Sequence, residues 1–189
     1  MTAARRLPAR LLLGALILAL VEAGVVGTSQ VEPVRAAAPA WLDRFNAWRA
    51  NGGVPILTED ATFDAGDVAH AEYMVKNDLI AHYETAGTPY YTAAGDTAAR
   101  NSNIYVSSST STADTDAIDW WMQAPFHSMG MMDPRLRTTG FGSYRETKSG
   151  WDMGAAVNVV QGNSFTGGAF PVYFPGSGTT EPLTSYGGG

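Results

Sequence analysis

The chain has 189 residues, a formal net charge of −6 at pH 7 and no cysteine. The lack of cysteine excludes disulfides and thiolate metal sites. An acidic balance without a basic stripe argues against nucleic acid as a partner and against adhesion to anionic lipid surfaces. Without its first 38 residues the chain fits one domain, and a domain of about 150 residues buries an adequate core without disulfides.

The N-terminal segment has the pattern of a secretory leader. Three arginines among the first ten residues precede an apolar run, and the small residues Ala36 and Ala38 offer a signal-peptidase site. We therefore predict a signal peptide over residues 1–38 and a secreted or extracytoplasmic protein without a membrane span after cleavage. An uncleaved membrane anchor is the alternative, because the apolar run approaches the minimum length of a spanning helix.

Two helices are predicted next. Aromatic residues recur at helical spacing from Trp41 to Trp48, and the glycines at 52–53 end this first helix. A second, longer helix follows, with Thr58 or Asp60 as its N-cap.

The middle of the chain alternates loops with one strand and one helix. Residues 81–97 contain two glycines and a proline, which favours a long ordered loop. Residues 101–106, "NSNIYV", are typical of a short strand. A helix is predicted over 117–124, "AIDWWMQA", and Pro125 is expected to stop it.

Strands dominate the last part of the predicted fold. Residues 138–147 and 151–160 are expected to form two antiparallel strands joined by the turn "KSG". The tail, residues 162–189, is rich in Gly, Ser and Pro, with "FPVYF" at 170–174 as a candidate edge strand. Helices first and strands later indicate an α+β layered domain.

The chain's three histidines offer the clearest candidate chemistry. His70 lies within the second helix and is interpreted as a partly buried residue hydrogen-bonded to a neighbour. His82 follows that helix and His127 follows Pro125, so both rings can converge in a cleft. Neutral imidazole binds zinc or copper well, but two histidines leave a tetrahedral set incomplete, so water or a carboxylate such as Glu84 must complete it. The alternative is that both are ordinary polar residues lining a groove.

Other catalytic arrangements lack support in the sequence. The chain contains no G-x-S-x-G nucleophile elbow, no H-E-x-x-H helix and no phosphate-binding glycine loop.

A longer motif carries a family resemblance. The pattern W-M-x-(A/S)-P-x-H, followed by D/N-P and by G-x-G, occurs at residues 121–127, 133–134 and 140–142. Together with the first two helices and the position of His82, it resembles the CAP superfamily of cysteine-rich secretory proteins, antigen 5 proteins and plant pathogenesis-related proteins. The similarity is greatest to the cysteine-free bacterial branch, the SCP-like domains, and we predict such a domain over residues 39–161.

The resemblance implies a three-layer α-β-α sandwich with a central antiparallel sheet and an open cleft. In many members the cleft holds two histidines and two glutamates. His82 and His127 match the histidines, a pair that binds Zn²⁺ in some relatives, and these two are the expected metal ligands.

The family's glutamates do not carry over to this chain. Its G-E-N-(L/I) appears here as residues 101–104, where Ser102 replaces the first glutamate. The second falls near Gln123 or Ala124, where the sequence has no acid. Glu84 compensating for one lost carboxylate is a hypothesis.

Two classes of function are compatible with these residues. The first is a secreted, non-catalytic CAP module whose cleft binds a small ligand, lipid, glycan or protein partner, with weak zinc binding at His82 and His127; Glu84 and Ser102 are the other expected cleft residues. The second is an extracellular hydrolase or peptidase in which a cleft histidine is the base and Ser102 the conceivable nucleophile. A structural envelope or matrix protein with a vestigial cleft is a further interpretation.

Overall fold

A computed structural model describes residues 38–180, 183 and 186–187; apart from Ala38, the predicted leader lies outside these residues. The described helices are α1 (Ala40–Asn51), α2 (Ala61–Asn77), α3 (Ala93–Ala99), α4 (Asp114–Gln123) and α5 (Pro125–Met131). The described strands are β1 (Thr58–Glu59), β2 (Ser102–Ser107), β3 (Thr138–Thr139), β4 (Phe141–Arg145) and β5 (Met153–Asn158).

An antiparallel sheet in the order β2-β5-β4 forms the centre of the fold. Strand β5 pairs with β2 in a register that sets Ile104 opposite Ala156, and with β4 so that Gly142 also lies opposite Ala156. The short strands β1 and β3 pair in parallel beside it. The two antiparallel strands predicted after residue 137 are confirmed as β4 and β5.

Helices cover both faces of the sheet, so the central strand β5 is buried on both sides. On one face, Ala155 and Val157 of β5 join an aromatic core with Trp48 of α1 and Trp121 of α4. On the other face, Ala156 packs with Met74 of α2. The predicted α+β fold, a three-layer sandwich with an antiparallel sheet, is confirmed.

The glycines of the G-x-G motif let α2 approach the sheet closely. A Cβ atom on Gly142 would lie 2.0 Å from the backbone nitrogen of Val68, and one on Gly140 would lie 2.4 Å from the Cβ of Phe63. Between them, the Phe141 N–H donates to the Asp64 carboxylate at 2.8 Å. The G-x-G motif therefore marks a close contact between α2 and the sheet.

The start of α2 is as predicted, whereas the structure has an additional helix, α3, and gives Pro125 a second role. Asp60 caps α2 by accepting a hydrogen bond from the Thr62 N–H. The predicted loop over 81–97 is wrong at its end, because the Thr92 side chain caps a further helix, α3. Pro125 does end α4, but it also begins α5, since a proline at the first helical position needs no N–H.

A buried arginine fixes the position of α5. The fully buried Arg49 of α1 donates from Nε to the Pro55 carbonyl at 2.7 Å and from Nη1 to the Met131 carbonyl at the end of α5. Burial lowers the pKa of Arg49 to about 10, so the side chain stays charged at neutral pH. One cation thereby anchors the helix that carries His127.

The described part of the tail adds no strand to the central sheet. Residues 164–180 form no strand, so the candidate edge strand at 170–174 is wrong. Pro171 lacks the N–H that a sheet ladder needs, and Phe174 instead packs edge-on against Trp48 with 6.0 Å between ring centroids. Across the residues described, no helix combines the length and apolar character needed to span a membrane.

Candidate functional site

A cleft of about 750 Å³ opens beside β2, one of the two edge strands of the central sheet. It is lined by Ile80, Ala81, His82, Ile104, Tyr105, Val106, Trp120, His127 and Trp151. Three consecutive residues of β2 belong to this set, so the cleft follows the strand edge.

Both helical layers contribute to the walls. Residues 80–82 follow α2 on one side of the sheet, whereas Trp120 of α4 and His127 of α5 belong to the other layer. Trp151 comes from the connection between β4 and β5. The two predicted histidines, 45 positions apart in the chain, thus line one cleft.

The ring of His82 has a defined proton position. Its Nδ1 lies 3.0 Å from the carbonyl oxygen of Ala99, and a carbonyl only accepts, so Nδ1 donates. In the neutral ring Nε2 then carries the free lone pair. The side chain is exposed at the mouth of the cleft, which makes Nε2 available to a ligand.

His127 is half-buried and neutral at physiological pH. Burial, assisted by the neighbouring His82, lowers the pKa of the His127 imidazole. Its buried Nδ1 has no hydrogen-bond partner among the described residues. The ring lies 5.5 Å from that of Trp120 between centroids, and its backbone carbonyl accepts from Asn103 of β2 at 3.2 Å.

Glu84 does not lie in this cleft. Its fully buried side chain faces His70, with Oε1 lying 3.1 Å from Nδ1, and its Oε2 accepts the Thr92 N–H at 2.8 Å. The carboxylate is therefore committed to interior groups. The expected replacement of a lost cleft acid by Glu84 is not what these contacts show.

Ser102 also points away from the histidines. Its hydroxyl donates to Oδ1 of the buried Asp67 at 2.7 Å, on the face of the sheet that α2 covers. Oδ2 of Asp67 has no hydrogen-bond partner among the described residues, and burial raises the pKa of this carboxyl to about 8. Ser102 accordingly belongs to a helix–sheet contact and does not line the cleft.

The donors for a metal ion are few. In the described part of the chain, no group of three or more His, Asp or Glu side chains could hold a metal ion. The cleft brings two imidazoles and no carboxylate, so protein atoms supply half of a tetrahedral zinc shell at most.

The predictions from the sequence do not include the aromatic walls of the cleft. Trp120 and Trp121 are adjacent on α4, but Trp121 is fully buried whereas Trp120 is 38% exposed. Tyr105 stands edge-on to Trp120 at 5.6 Å between centroids. The helical period separates Trp120 from its buried neighbours and is the signal that could have found it; Trp151, in a polar turn, carried no such signal.

The comparison with known families agrees with this architecture. The model of the cysteine-rich secretory protein family, CAP, matches residues 42–161, more than half of the chain. The chain therefore belongs to the CAP family. No curated protein matches the chain.

Proposed function

We propose that this CAP domain is a secreted, non-catalytic binding module whose cleft holds an uncharged ligand with an apolar body. The observation that carries this proposal is the composition of the lining, which is aromatic, aliphatic and imidazole, without an acidic residue, a lysine or an arginine. A volume of about 750 Å³ lies within the range of small-molecule sites, roughly 300–1,000 Å³. The location outside the cytoplasm rests on the predicted leader.

The polarity of the lining side chains favours some of the ligand classes that the sequence leaves open and disfavours others. In the zinc-free cleft, a charged ligand would lose hydration without gaining a counter-ion, which is costly. A glycan needs many hydrogen-bond partners for its hydroxyls, and the side chains of the lining include no carboxylate and no carboxamide. An apolar small molecule or a neutral lipid gains from Ile80, Trp120 and Trp151, with the imidazoles as polar anchors.

Weak zinc binding is the second part of the proposal. The lone pair on Nε2 of His82 and the half-buried imidazole of His127 are the type of donor that Zn²⁺ prefers, and water completes the shell. Bound zinc would supply a Lewis-acidic anchor for a polar atom of the ligand.

No observation favours the hydrolase alternative. It requires a nucleophile beside a cleft histidine, and the Ser102 hydroxyl is bonded to Asp67 on another side of β2. The non-catalytic module is accordingly the function that the site supports best.

The experiment is a titration with N-phenyl-1-naphthylamine, a neutral apolar dye that fluoresces when shielded from water. Ile80→Glu places a carboxylate in the cleft and is expected to weaken dye binding about tenfold or more. Ile56→Glu is the matched control, because Ile56 is as exposed as Ile80, at 68% against 54%, but does not line the cleft. No dye binding by the wild type, or equal affinities of the two variants, would refute the proposal.

A further inference from the structure

A buried pair of side chains lies directly behind the cleft. His70 of α2 and Glu84 are fully buried, with 3.1 Å between Nδ1 and Oε1. The other ring nitrogen of His70, Nε2, donates to the Ala81 carbonyl at 2.9 Å. Because the Ala81 carbonyl takes the Nε2 proton, a second proton, on the ring or on the Glu84 carboxyl, must lie between Nδ1 and Oε1. Both nitrogens then hydrogen-bond to the segment that follows α2, and the two bonded positions flank His82.

Glu84 connects this segment to α3 as well. Its Oε2 accepts the N–H of Thr92, the residue that caps α3, and its own N–H donates to Asp96 of α3, each at 2.8 Å. A Cβ on Gly95 would lie 2.1 Å from Oε1, so this glycine makes room for the carboxylate. Glu84 is thus held between α2 and α3.

The last link runs from α3 to the cleft. The Ala99 carbonyl at the end of α3 accepts from Nδ1 of His82. The backbone around His82 is consequently fixed from α2 through His70, and its ring is fixed from α3. Displacing the 81–84 segment would break the contact that sets the His82 ring.

We infer that His70 and Glu84 are positioning residues that hold His82 with Nε2 free toward the cleft. The purpose of this arrangement rests on the proposed function, whereas the arrangement itself can be tested without a ligand. Stability alone does not require a polar pair at these positions, because apolar residues of similar volume often stabilise a core equally well. A pair that served stability alone would also have no reason to bond to the residues around His82. Here both partners bond to the residues around His82.

Two variants of Glu84 separate positioning from packing. Glu84→Gln retains the geometry, since its amide oxygen accepts from Thr92 and its amide nitrogen donates to neutral His70. Glu84→Leu keeps the volume and removes both bonds. Val75→Ala is the control for lost stability, because Val75 is fully buried in the same helix as His70 and lies against Gly154 of β5.

The main measurement is the ¹⁵N chemical shift of the two ring nitrogens of His82, which distinguishes a protonated nitrogen from a bare one. The wild type, Glu84→Gln and Val75→Ala are expected to show a single tautomer with the proton on Nδ1. Glu84→Leu is expected to show a mixture of tautomers. Zinc affinity should fall about 10–100-fold in Glu84→Leu and stay within about twofold in the other two, as the ring remains oriented.

The outcomes are separable from those of the proposed function. A folded Glu84→Leu variant with the wild-type tautomer overturns the inference, whether or not zinc binds. Failure of the wild type to bind zinc or the dye refutes the proposed function, while the tautomer still tests the positioning role. If Glu84→Leu does not fold, His70→Gln replaces it. The glutamine has one amide nitrogen, which can reach either the Ala81 carbonyl or the Glu84 carboxyl but not both. An unchanged His82 tautomer in His70→Gln overturns the inference.

Discussion

Nδ1 of His82 donates to the Ala99 carbonyl over 3.0 Å, so the last turn of α3 decides which nitrogen of the cleft histidine is free. Because a metal-binding imidazole is usually oriented by a hydrogen bond from its other nitrogen, this contact prepares Nε2 as a donor. His127 reaches the same cleft from α5 with its Nδ1 unpartnered among the described residues.

Zinc binding should therefore depend on both histidines. His82→Ala and His127→Ala are each expected to weaken zinc affinity about tenfold or more, because each removes one of two protein donors. Isothermal calorimetry measures this, with Phe126→Ala as the control; Phe126 is 84% exposed and does not line the cleft. Affinity should also fall at acidic pH, because protonation of the His127 imidazole, whose pKa burial lowers, removes a metal donor. Equal heats in the wild type and both histidine variants would contradict a shared site.

Chemical modification should rank the three histidines. Diethyl pyrocarbonate acylates an unprotonated, accessible imidazole nitrogen, so His82 is expected to react fastest and His127 more slowly. His70, which is fully buried with both nitrogens bonded, should stay unmodified in the folded protein. Peptide mass spectrometry gives the rates, and the urea-unfolded chain supplies the reference in which all three react. Modification of folded His70 at the rate of His82 would be inconsistent with the described contacts.

The buried Asp67 should make the free energy of unfolding fall as pH rises between about 4 and 8. Burial raises its pKa to about 8, so the folded state holds a proton that the unfolded state releases near pH 4. Stability is then lost as pH rises toward 8, at up to about 1.4 kcal/mol per pH unit. Urea unfolding between pH 7 and 8 is expected to show a loss of about 1 kcal/mol in the wild type and none in Asp67→Asn.

Asp64 provides the matched control for this measurement. Burial raises its pKa to about 6, so Asp64→Asn should alter the pH dependence between about 4 and 6 and leave the slope from pH 7 to 8 unchanged. A slope that persists in Asp67→Asn would assign the effect to another group.

Gly142 should tolerate no side chain. In Gly142→Ala the new methyl group would meet the backbone of α2 at Val68, 2.0 Å away, and a helix backbone cannot rotate aside as a side chain can. Overpacking typically costs about 1–3 kcal/mol, and we expect the upper end of this range. Ser143→Ala, the next position of β4, should change the free energy of unfolding by less than about 0.5 kcal/mol. Comparable urea midpoints for the two variants would show that α2 does not lie against Gly142.

Much of the fold could be predicted because its signals are local. The cap at Asp60, the aromatic spacing in α1 and the turn between β4 and β5 each depend on residues a few positions apart. Pro125 is more ambiguous, since one residue both ends α4 and begins α5. A proline signals a boundary but does not identify the element on its C-terminal side.

The site was harder to predict, because its geometry depends on contacts between distant residues. Glu84 is near His82 in the chain, yet His70, 14 residues earlier, takes up its carboxylate. Ser102 stands where the family resemblance implies a glutamate, but the sequence does not reveal that its hydroxyl donates to Asp67. The histidine pair could be found because a family motif marks both members.

The position of β2 has a consequence for association between copies of the protein. An edge strand offers unpaired N–H and C=O groups that can template pairing with another chain. Here the edge runs along the floor of the cleft, and the Trp121 indole already donates to the Ile104 carbonyl at 2.9 Å. A strand from a second molecule would have to enter between the walls formed by Ile80 and Trp120. The geometry that leaves room for a ligand thus also hinders edge-to-edge pairing at β2.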